Sequence, residues 1–472
     1  MNIIGRKKEQ QKLANAAESK RPEFLAVYGR RRVGKTYLVK EFFNGRFSFY
    51  ATGVNGVNMR NQLRAFRDSL VEYGCIDTDV PKDWVEAFAK LKELLQSRDV
   101  KRDPANGKRI VFLDEVPWMD IPRSEFKSAL DYFWNSWGSS QEDLMLIVCG
   151  SATSWIIDNI IINTGGLYNR LTGQIHLAPF TLHECEELLR LNGIPFTRSQ
   201  IIETYMVFGG VPYYLNCLDR RLSPAQNIDE LCCDEYGQLR HEGEQLFRSL
   251  FKHAEKHEAI IRRLSQRKSG VSRAELAKCD DIGDGEPLTK ALAELEQCGF
   301  VRKYHNITTA KNGALFQIVD PFTLFNFDFL NNGTYASWSK FINTPAYNAW
   351  RGIAFETVCL NHIGQIKNAL GISGVSTNEY AWKSKTSSKG AQIDLLIDRK
   401  DGVINLCEMK FTDSEYEMTK EEHDKLLHRQ AAFIDEVKPD AAVHLTLVSA
   451  NGIKKNKYTN ILIRTIDGDE LF

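Results

Sequence analysis

Residues 29–36 have the sequence Gly-Arg-Arg-Arg-Val-Gly-Lys-Thr and match the pattern G-x-x-x-x-G-K-[ST]. Residues 24–28, just before this segment, are apolar or aromatic, which is typical of a buried strand. Residues 37–43, just after it, have the pattern expected for the first turns of a helix. The pattern binds phosphate when it joins a strand to a helix, so the local context agrees with the motif.

The residue types of this loop suit a nucleotide triphosphate. Glycines at 29 and 34 let main-chain N–H groups converge on phosphate oxygens, and the helix start adds partial positive charge. Lys35 would bridge the terminal phosphates and the Thr36 hydroxyl would bind Mg²⁺. The three arginines would contact phosphate, a neighbouring subunit or a nucleic acid, or simply form a solvated basic loop. The candidate nucleotide-binding residues here are Gly29, Arg30, Arg31, Arg32, Val33, Gly34, Lys35, Thr36 and Tyr37.

Two further segments carry polar residues at the ends of apolar strands. Residues 109–115, Arg-Ile-Val-Phe-Leu-Asp-Glu, predict a strand whose carboxyl end presents two acids. Asp114 would belong to the Mg²⁺ shell, and Glu115 would orient or deprotonate the attacking water. Ser151 follows the apolar residues 144–149, where it would either bond the γ-phosphate or cap the next helix.

Apolar strands alternate with helical segments through residues 1–178. The strands are expected at residues 24–28, 46–50, 109–113, 144–149 and 174–177. This alternation predicts an α/β fold with a parallel sheet covered on both faces and the ligand at the carboxyl ends of the strands. Residues 1–178 are therefore the predicted P-loop ATPase core.

The bulk composition is that of an ordinary protein of 472 residues, with 43% hydrophobic and 26% charged residues. Lys plus Arg and Asp plus Glu are both 61, so a nucleic-acid surface would have to be a local patch. No apolar run is long enough to span a bilayer, and the first residues lack the apolar core of a signal peptide. The 10 cysteines include no C-x-x-C pair, which favours reduced thiols and a cytoplasmic protein.

Four motifs together resemble the archaeal-type ATPases of the AAA+/STAND group: Ile4-Gly-Arg, the loop at 29–36, Leu-Asp-Glu-Val-Pro-Trp at 113–118 and Cys-Gly-Ser at 149–151. The resemblance covers about residues 1–330 and implies an ATP pocket closed by the segment around Ile4 and by a helical lid. The expected lid is residues 179–240, where the family places a Gly-x-Pro against the nucleotide, here Gly210 and Pro212. An ordinary helix end followed by proline is the alternative.

The same resemblance implies a sensor role for Ser151 and an arginine finger or sensor role for Arg170. A finger acts on the nucleotide of a neighbouring subunit, which would make the protein a homo-oligomer. The alternative is that Arg170 pairs with a nearby acid.

Residues 241–335 show the order helix, helix, short helix, helix and two strands that is typical of a winged helix. The expected recognition helix, residues 287–297, carries Lys290 but lies among Glu286, Glu294 and Glu296. Because a phosphate backbone repels such acids, the sequence favours a packing or dimerising role over DNA reading. The glycine- and asparagine-rich residues 331–347 are the expected linker to the last domain.

Residues 345–472 form the predicted C-terminal domain, which carries three acids and a lysine. Glu356 lies on a predicted helix and Asp394 on a strand, and Glu408 and Lys410 share one face of the next strand. Together they resemble the PD-(D/E)XK nuclease pattern, which implies Mg²⁺ on Asp394 and Glu408 and water activation near Lys410. Charged residues on a solvated strand face are the alternative.

Two functions follow. In the first, the chain is a Mg²⁺-dependent ATPase whose hydrolysis controls a nuclease-like domain acting on DNA. In the second, it is a slow nucleotide-gated switch whose C-terminal domain binds DNA or a protein without cleaving it.

Overall fold

The computed structural model describes residues 3–162, 170–251, 254–267, 270–307, 313–331, 337–342, 344–384, 386–387 and 390–472. The chain forms two compact units, Met1–Ala178 and Pro179–Phe472. Each unit is described on its own below. No helix in the described ranges combines the length and the apolar character needed to cross a membrane.

The first unit is built on a five-stranded parallel sheet, which confirms the predicted α/β class with a parallel P-loop-type core. In spatial order the strands run β2-β3-β4-β1-β5. Their bounds are β1 Glu23–Tyr28, β2 Phe49–Thr52, β3 Arg109–Asp114, β4 Leu144–Gly150 and β5 Gly173–His176. The helices of this unit are α1 Lys7–Glu18, α2 Lys35–Phe42, α3 Met59–Glu72, α4 Trp84–Gln96, α5 Val116–Met119, α6 Phe126–Ser136 and α7 Thr153–Ile156.

Both faces of this sheet are buried, as the uninterrupted apolar strands predict. Every residue of β3 and β4 is buried, and separate hydrophobic cores lie on the two faces. One core packs Phe24 and Leu146 against α3, α4 and α6, and the other packs Leu25 and Ile147 against α1 and α2. Because β1, β3 and β4 run parallel to one another, their carboxyl ends lie at the same edge of the sheet.

The second strand begins three residues later than the predicted 46–50. A turn occupies the preceding residues: the Arg46 amide donates to the Phe43 carbonyl at 2.9 Å, and Gly45 has φ of 65°. The backbone becomes regular only at Phe49, which pairs with Val111. The apolar pattern marked the strand, but the turn decided where it starts.

The second unit opens with helices, the first of which has a capping box. The Thr181 side chain accepts from the Glu184 amide, and the Glu184 carboxylate accepts from the Thr181 amide at 2.9 Å. The helices of this part are α8 Leu182–Leu191, α9 Arg198–Phe208, α10 Pro212–Asn216, α11 Pro224–Ile228 and α12 Glu242–Leu250.

Next in the chain comes a small antiparallel sheet with helices packed on it. Its strands, in the order β6-β8-β7, are β6 Val271–Ser272, β7 Val301–His305 and β8 Ala314–Ile318. The helices are α13 Ala254–Ser265, α14 Arg273–Leu276 and α15 Glu286–Gln297. Two strands were predicted in this region, and they correspond to β7 and β8. Strand β6 was not predicted, because two residues give no periodic pattern.

The expected linker at residues 331–347 is wrong in part. The helix α17 Trp338–Phe341 lies inside it, after α16 Pro321–Phe325, and the next helix begins at Pro345. Trp338 and Phe341 are buried in an aromatic cluster with Phe329 and Trp350. Trp338 and Phe341 therefore belong to the core and not to a linker.

The C-terminal part contains a five-stranded mixed sheet in the order β15-β13-β11-β10-β9. Its strands are β9 Thr377–Lys383, β10 Gln392–Arg399, β11 Val403–Lys410, β13 Ala442–Ser449 and β15 Arg464–Asp467, and the short strands β12 Tyr416–Glu417 and β14 Ile453–Lys454 pair separately. The helices are α18 Pro345–Asn361, α19 Ile363–Ala369 and α20 Lys420–Val437. In this arrangement the predicted acidic residues lie on α18, β10 and β11, and α20 lies beside them.

Candidate functional site

The loop after β1 has a backbone that requires glycine at its start. Gly29 has φ of 148°, and a Cβ there would lie 2.2 Å from the main-chain oxygen of Leu177, which follows β5. Gly34 has φ of 92° and directly precedes α2. Glycine is required at 29 because the Leu177 main chain approaches too closely for a side chain. At 34 it is favoured because the backbone is left-handed, although the space around it is open.

Lys35 is buried within this loop, with 5% of its surface exposed. Its Nζ donates to the main-chain oxygens of Gly29 and Arg30, both at 2.9 Å. The loop carbonyls thus hold the ammonium group over the loop. An anion entering the loop would meet this charge together with the amino end of α2.

The loop and β3 are joined by one hydrogen bond between the two predicted magnesium ligands. The Thr36 hydroxyl Oγ1 donates to Asp114 Oδ2 at 2.8 Å. Asp114 is 3% exposed, and its other oxygen accepts from the Glu115 amide at 3.0 Å. The structure therefore brings together the hydroxyl and the carboxylate that the sequence assigned to one ion.

Glu115 adopts a left-handed backbone conformation, with φ of 47° and ψ of 46°. Its Oε2 accepts from the amide and from the hydroxyl of Ser151, at 3.0 and 2.9 Å. Burial raises the pKa of Glu115, while the Lys35 charge and the Ser151 donors oppose that rise. The predicted sensor residue thus holds the predicted base.

The amino-terminal arm also reaches the loop. Arg6 is 6% exposed and its Nη2 donates to the Val33 carbonyl at 3.3 Å. Ile4, two residues earlier, is partly buried. Arg6 was quoted in the motif but not chosen as a site residue, because nothing in the sequence indicates which loop carbonyl it meets.

The other loop side chains differ in exposure. Arg30 is 2% exposed, Arg31 and Arg32 are partly buried, and Tyr37 is 56% exposed. Val33 is buried in the core that contains α1 and α2. Val33 is thus a packing residue of the loop, and its side chain gives no sign of ligand contact.

Two family-based assignments stay predictions. Arg170 is exposed and lies three residues before β5, while the segment 165–169 that precedes it is outside the described residues. Pro212 is the first residue of α10 in the second unit, where the main chain of Gly210 packs tightly on Phe180. A Cβ at Gly210 would lie 1.9 Å from the Phe180 oxygen, which explains the glycine by packing within that unit.

In the second unit, Glu408 and Lys410 lie on the same face of β11, as their spacing predicted. Lys410 Nζ is 3.0 Å from Glu408 Oε1. Arg429 of α20 donates to the other oxygen of Glu408. Glu408 is thus held between two cations from adjacent elements.

Asp394 and Glu356 complete an acidic cluster with Glu408. Burial raises the pKa of Glu356 to about 8, and the charges of Asp394 and Glu408 add to this rise. Burial also raises the pKa of Asp394, whose Oδ1 accepts from Gln392 at 2.6 Å. The neighbouring carboxylate charges thus add to burial in opposing the ionisation of Glu356 and Asp394.

Sequence reasoning missed two arginines of this cluster, Arg302 and Arg429. Arg302 lies on β7, 92 residues before Asp394, and donates to the Asp394 main-chain oxygen at 3.4 Å. Arg429 lies on α20, which carries many charged residues, so the sequence of this helix does not show which of them faces the acidic cluster. Neither contact has a signal in the local pattern.

Both predicted magnesium sites offer the hard oxygen ligands that Mg²⁺ prefers. In the first unit these are one hydroxyl and one carboxylate, which suit an ion that completes its shell with phosphate and water. Within the ranges that the structure describes, no group of three or more His, Cys, Asp or Glu residues is arranged to hold a metal ion. At Asp394 and Glu408, two carboxylates and water would therefore have to suffice.

Comparisons with known proteins find a relative and solved structures that are similar to most of this chain. Over 430 residues, the chain is 23% identical to the uncharacterized protein MJECL04 of Methanocaldococcus jannaschii, covering 87% of this chain and 88% of that protein. The Walker-type ATPase PABY2304 of Pyrococcus abyssi superimposes with a TM-score of 0.49 at 19% identity, covering 69% of this chain and 96% of that one. The Aeropyrum pernix ORC2 protein, solved as ADPNP–ADP complexes, superimposes with a TM-score of 0.41 at 16% identity, covering 77% and 96%.

The family comparison concerns the first part of the chain. Residues 3–218 match the model of a family described as an ATPase domain predominantly from Archaea. This match confirms the predicted archaeal-type ATPase domain for those residues.

Proposed function

We propose that the protein binds and hydrolyses ATP with Mg²⁺ at the carboxyl edge of the parallel sheet. The hydrogen bond of 2.8 Å between Thr36 and Asp114 carries the proposal, because it joins the loop to the acid-bearing strand. Lys35 precedes Thr36 in the same loop and donates to the carbonyls of that loop, so a hydroxyl, a carboxylate and an ammonium group are available to the proposed site. No other arrangement in the described part of the first unit combines these groups with a glycine-rich loop.

Each residue has a role in this proposal. Main-chain amides of the loop and Lys35 bind the β- and γ-phosphates, and Thr36 and Asp114 would hold the ion. Bound Mg²⁺ supplies neutralisation of phosphate charge. Glu115 accepts a proton from the attacking water or orients it, and Ser151 fixes the Glu115 carboxylate.

The experiment is ATP binding and phosphate release by the full chain with and without Mg²⁺. Asp114→Asn should reduce hydrolysis and its dependence on Mg²⁺. Asp131→Asn, a change at a half-buried acid on α6 of the same unit, is the matched control and should leave both unchanged. Wild-type protein that binds no ATP during a magnesium titration would remove the proposal.

We further propose that the C-terminal part is a PD-(D/E)XK nuclease-like domain that acts on DNA under control of the ATPase. The convergence of Glu356, Asp394, Glu408 and Lys410 on two strands and one helix supports this assignment. In this reading Asp394 and Glu408 would hold a metal ion, and Lys410 would orient or activate water against a phosphodiester. The helices and the small sheet at residues 254–318 would form the winged helix between the lid and this domain.

Cleavage is tested on plasmid DNA with Mg²⁺ or Mn²⁺, with and without ATP. Glu408→Ala should abolish nicking and leave ATP hydrolysis intact. Glu417→Ala, which removes an exposed acid paired with Lys454 at 3.2 Å, is the matched control. Nicking that survives Glu408→Ala would assign the activity elsewhere.

A slow nucleotide-gated switch is the second candidate, and one observation favours it. Glu115 accepts hydrogen bonds from both donors of Ser151, so that carboxylate oxygen would have to leave a satisfied position to act as the base. In a switch, the ATP-bound chain would capture DNA or a protein partner and hydrolyse ATP slowly.

Association of the chain with itself on ATP addition would support the trans role of Arg170, and a monomer in all states would oppose it.

A further inference from the structure

Arg302 is anchored within its own hairpin. Its Nε and Nη2 donate to Gln317 Oε1 on β8, at 2.9 and 2.7 Å. Its guanidinium lies 4.4 Å from the centre of the Tyr304 ring. These contacts within the hairpin hold the Arg302 side chain in one orientation, independently of its contact with the C-terminal sheet.

The same guanidinium reaches the C-terminal sheet beside Asp394. Nη2 lies 3.4 Å from the Asp394 main-chain oxygen. Nearby, Asn306, just after β7, forms a bridge with Ala381 of β9. The hairpin thus lies against the β9 edge of the five-stranded sheet.

Asp394 lies where the ladder of β10 is irregular. Ile393 pairs with Trp382 and Leu396 pairs with Tyr380, so β10 has one residue more than β9 between these pairs. The ladder with β11 begins only at Leu395, opposite Cys407. A bulge redirects a side chain, and it leaves the main chain at that point without regular support from its neighbours.

We propose that Arg302 is a positioning residue for Asp394, so that the hairpin of β7 and β8 completes the acidic site of the C-terminal sheet. This inference rests on the proposed metal-binding role of Asp394 and Glu408. Arg302 supplies from the hairpin the main-chain support that the bulge removes, and it fixes the direction of the Asp394 carboxylate. The site is thus shared between two parts of the chain that sequence analysis assigns to different domains.

The charge of Arg302 and its anchoring by Gln317 would affect metal binding in opposite directions. A cation beside the acids weakens their attraction for a metal ion, so removing the charge alone would tighten metal binding. Losing the anchor would weaken it, because a ligand that is not oriented binds poorly. Arg302→Lys separates the two effects, since lysine keeps the charge and lacks the planar fork that grips Gln317.

The test is Mn²⁺ binding, measured by calorimetry on the nucleotide-free full chain carrying Asp114→Asn to silence the first site. Arg302→Lys should raise the Mn²⁺ dissociation constant about tenfold, as is usual for residues that orient metal ligands. Gln317→Met, which leaves the Arg302 charge in place and removes its anchor, should shift the constant in the same direction. Arg399→Lys is the matched control, because Arg399 lies at the other end of β10 and pairs with Asp401.

Each result has one meaning. Unchanged or tighter Mn²⁺ binding in both Arg302→Lys and Gln317→Met would overturn the positioning role. If Arg302→Lys does not fold, as judged by thermal unfolding, Gln317→Met alone decides. A parent protein whose Mn²⁺ binding is absent, or is unaffected by Glu408→Ala, would instead refute the proposed C-terminal site itself.

Discussion

Ser151 holds Glu115 through two hydrogen bonds to one carboxylate oxygen, from its amide at 3.0 Å and its hydroxyl at 2.9 Å. One residue follows β3 and the other follows β4, so the pair links the ends of adjacent strands. The Glu115 backbone is left-handed, a conformation that a non-glycine residue keeps only when its surroundings enforce it. The base of the proposed reaction is thus positioned by a neighbouring strand and not by its own loop.

Replacing Glu115 by Gln should preserve ATP binding and lower the hydrolysis rate. The amide keeps the size of the side chain but cannot accept the proton, and loss of a general base commonly costs about 10²- to 10⁴-fold in rate. The measurement is single-turnover hydrolysis alongside equilibrium ATP binding. Rapid turnover in Glu115→Gln would exclude Glu115 as the base.

Replacing Ser151 by Ala tests what the pair does. One of two donors is lost, a change of about 1 kcal/mol, so hydrolysis should slow by about fivefold if Ser151 positions the base. Ser151→Thr, which retains a hydroxyl, should restore most of the rate. Faster hydrolysis in Ser151→Ala would show that Ser151 restrains Glu115 and would favour the switch.

Lys35→Ala should abolish detectable binding of ATP and of inorganic tripolyphosphate alike. The ammonium group is the charge that the loop carbonyls hold over the phosphate position, so both ligands depend on it. Lys40→Ala is the matched control on the same helix, because Lys40 lies 4.1 Å from the centre of the Tyr50 ring. Wild-type affinity in Lys35→Ala would disprove the site.

Gly29→Ala should destabilise the first unit and remove ATP binding. The new methyl group would meet the Leu177 main-chain oxygen at 2.2 Å, a contact that the backbone must move to relieve. Gly74→Ala is the control: φ there is 98° with nothing within 4 Å, so only backbone strain of about 1 kcal/mol is expected. Chemical unfolding and ATP titration of both variants measure the difference, and wild-type behaviour of Gly29→Ala would contradict this account.

The phosphate-binding loop could be predicted because all of its determinants are local. Gly29, Gly34, Lys35 and Thr36 act through spacing within eight residues, and the strand and helix beside them have plain apolar patterns. The helix start at Pro345 also had a local signal, since Thr344 caps it and proline is its first residue. That signal was outweighed by the glycines and asparagines before it.

The remaining features depend on contacts between distant residues. Ser151 binds Glu115 only because β3 and β4 are neighbours, and Arg302 meets Asp394 only because the hairpin lies against β9. Strand β9 was missed because just two of its seven residues, Ala381 and Trp382, are buried. An edge strand of this kind lacks the alternation by which strands are recognised.

His362 should make the second unit sensitive to mild acid. Its ring is fully buried: Nε2 accepts from the Leu182 amide at 2.9 Å, and Nδ1 donates to the Val358 carbonyl at 2.7 Å. Burial lowers the pKa of His362 from 6.5 to about 4. Between these values the unfolded chain binds a proton that the folded chain does not, so stability falls as pH drops from 6.5 towards 4, by up to about 3 kcal/mol.

His362→Gln tests this, because glutamine can offer an acceptor and a donor but does not titrate in this range. The free energy of unfolding of the second unit is measured from pH 7.5 to 4.5 in both proteins. The variant should be less stable at pH 7.5 and lose less stability on acidification. Parallel pH dependences would show that His362 titrates normally and that its two hydrogen bonds do not require the neutral ring.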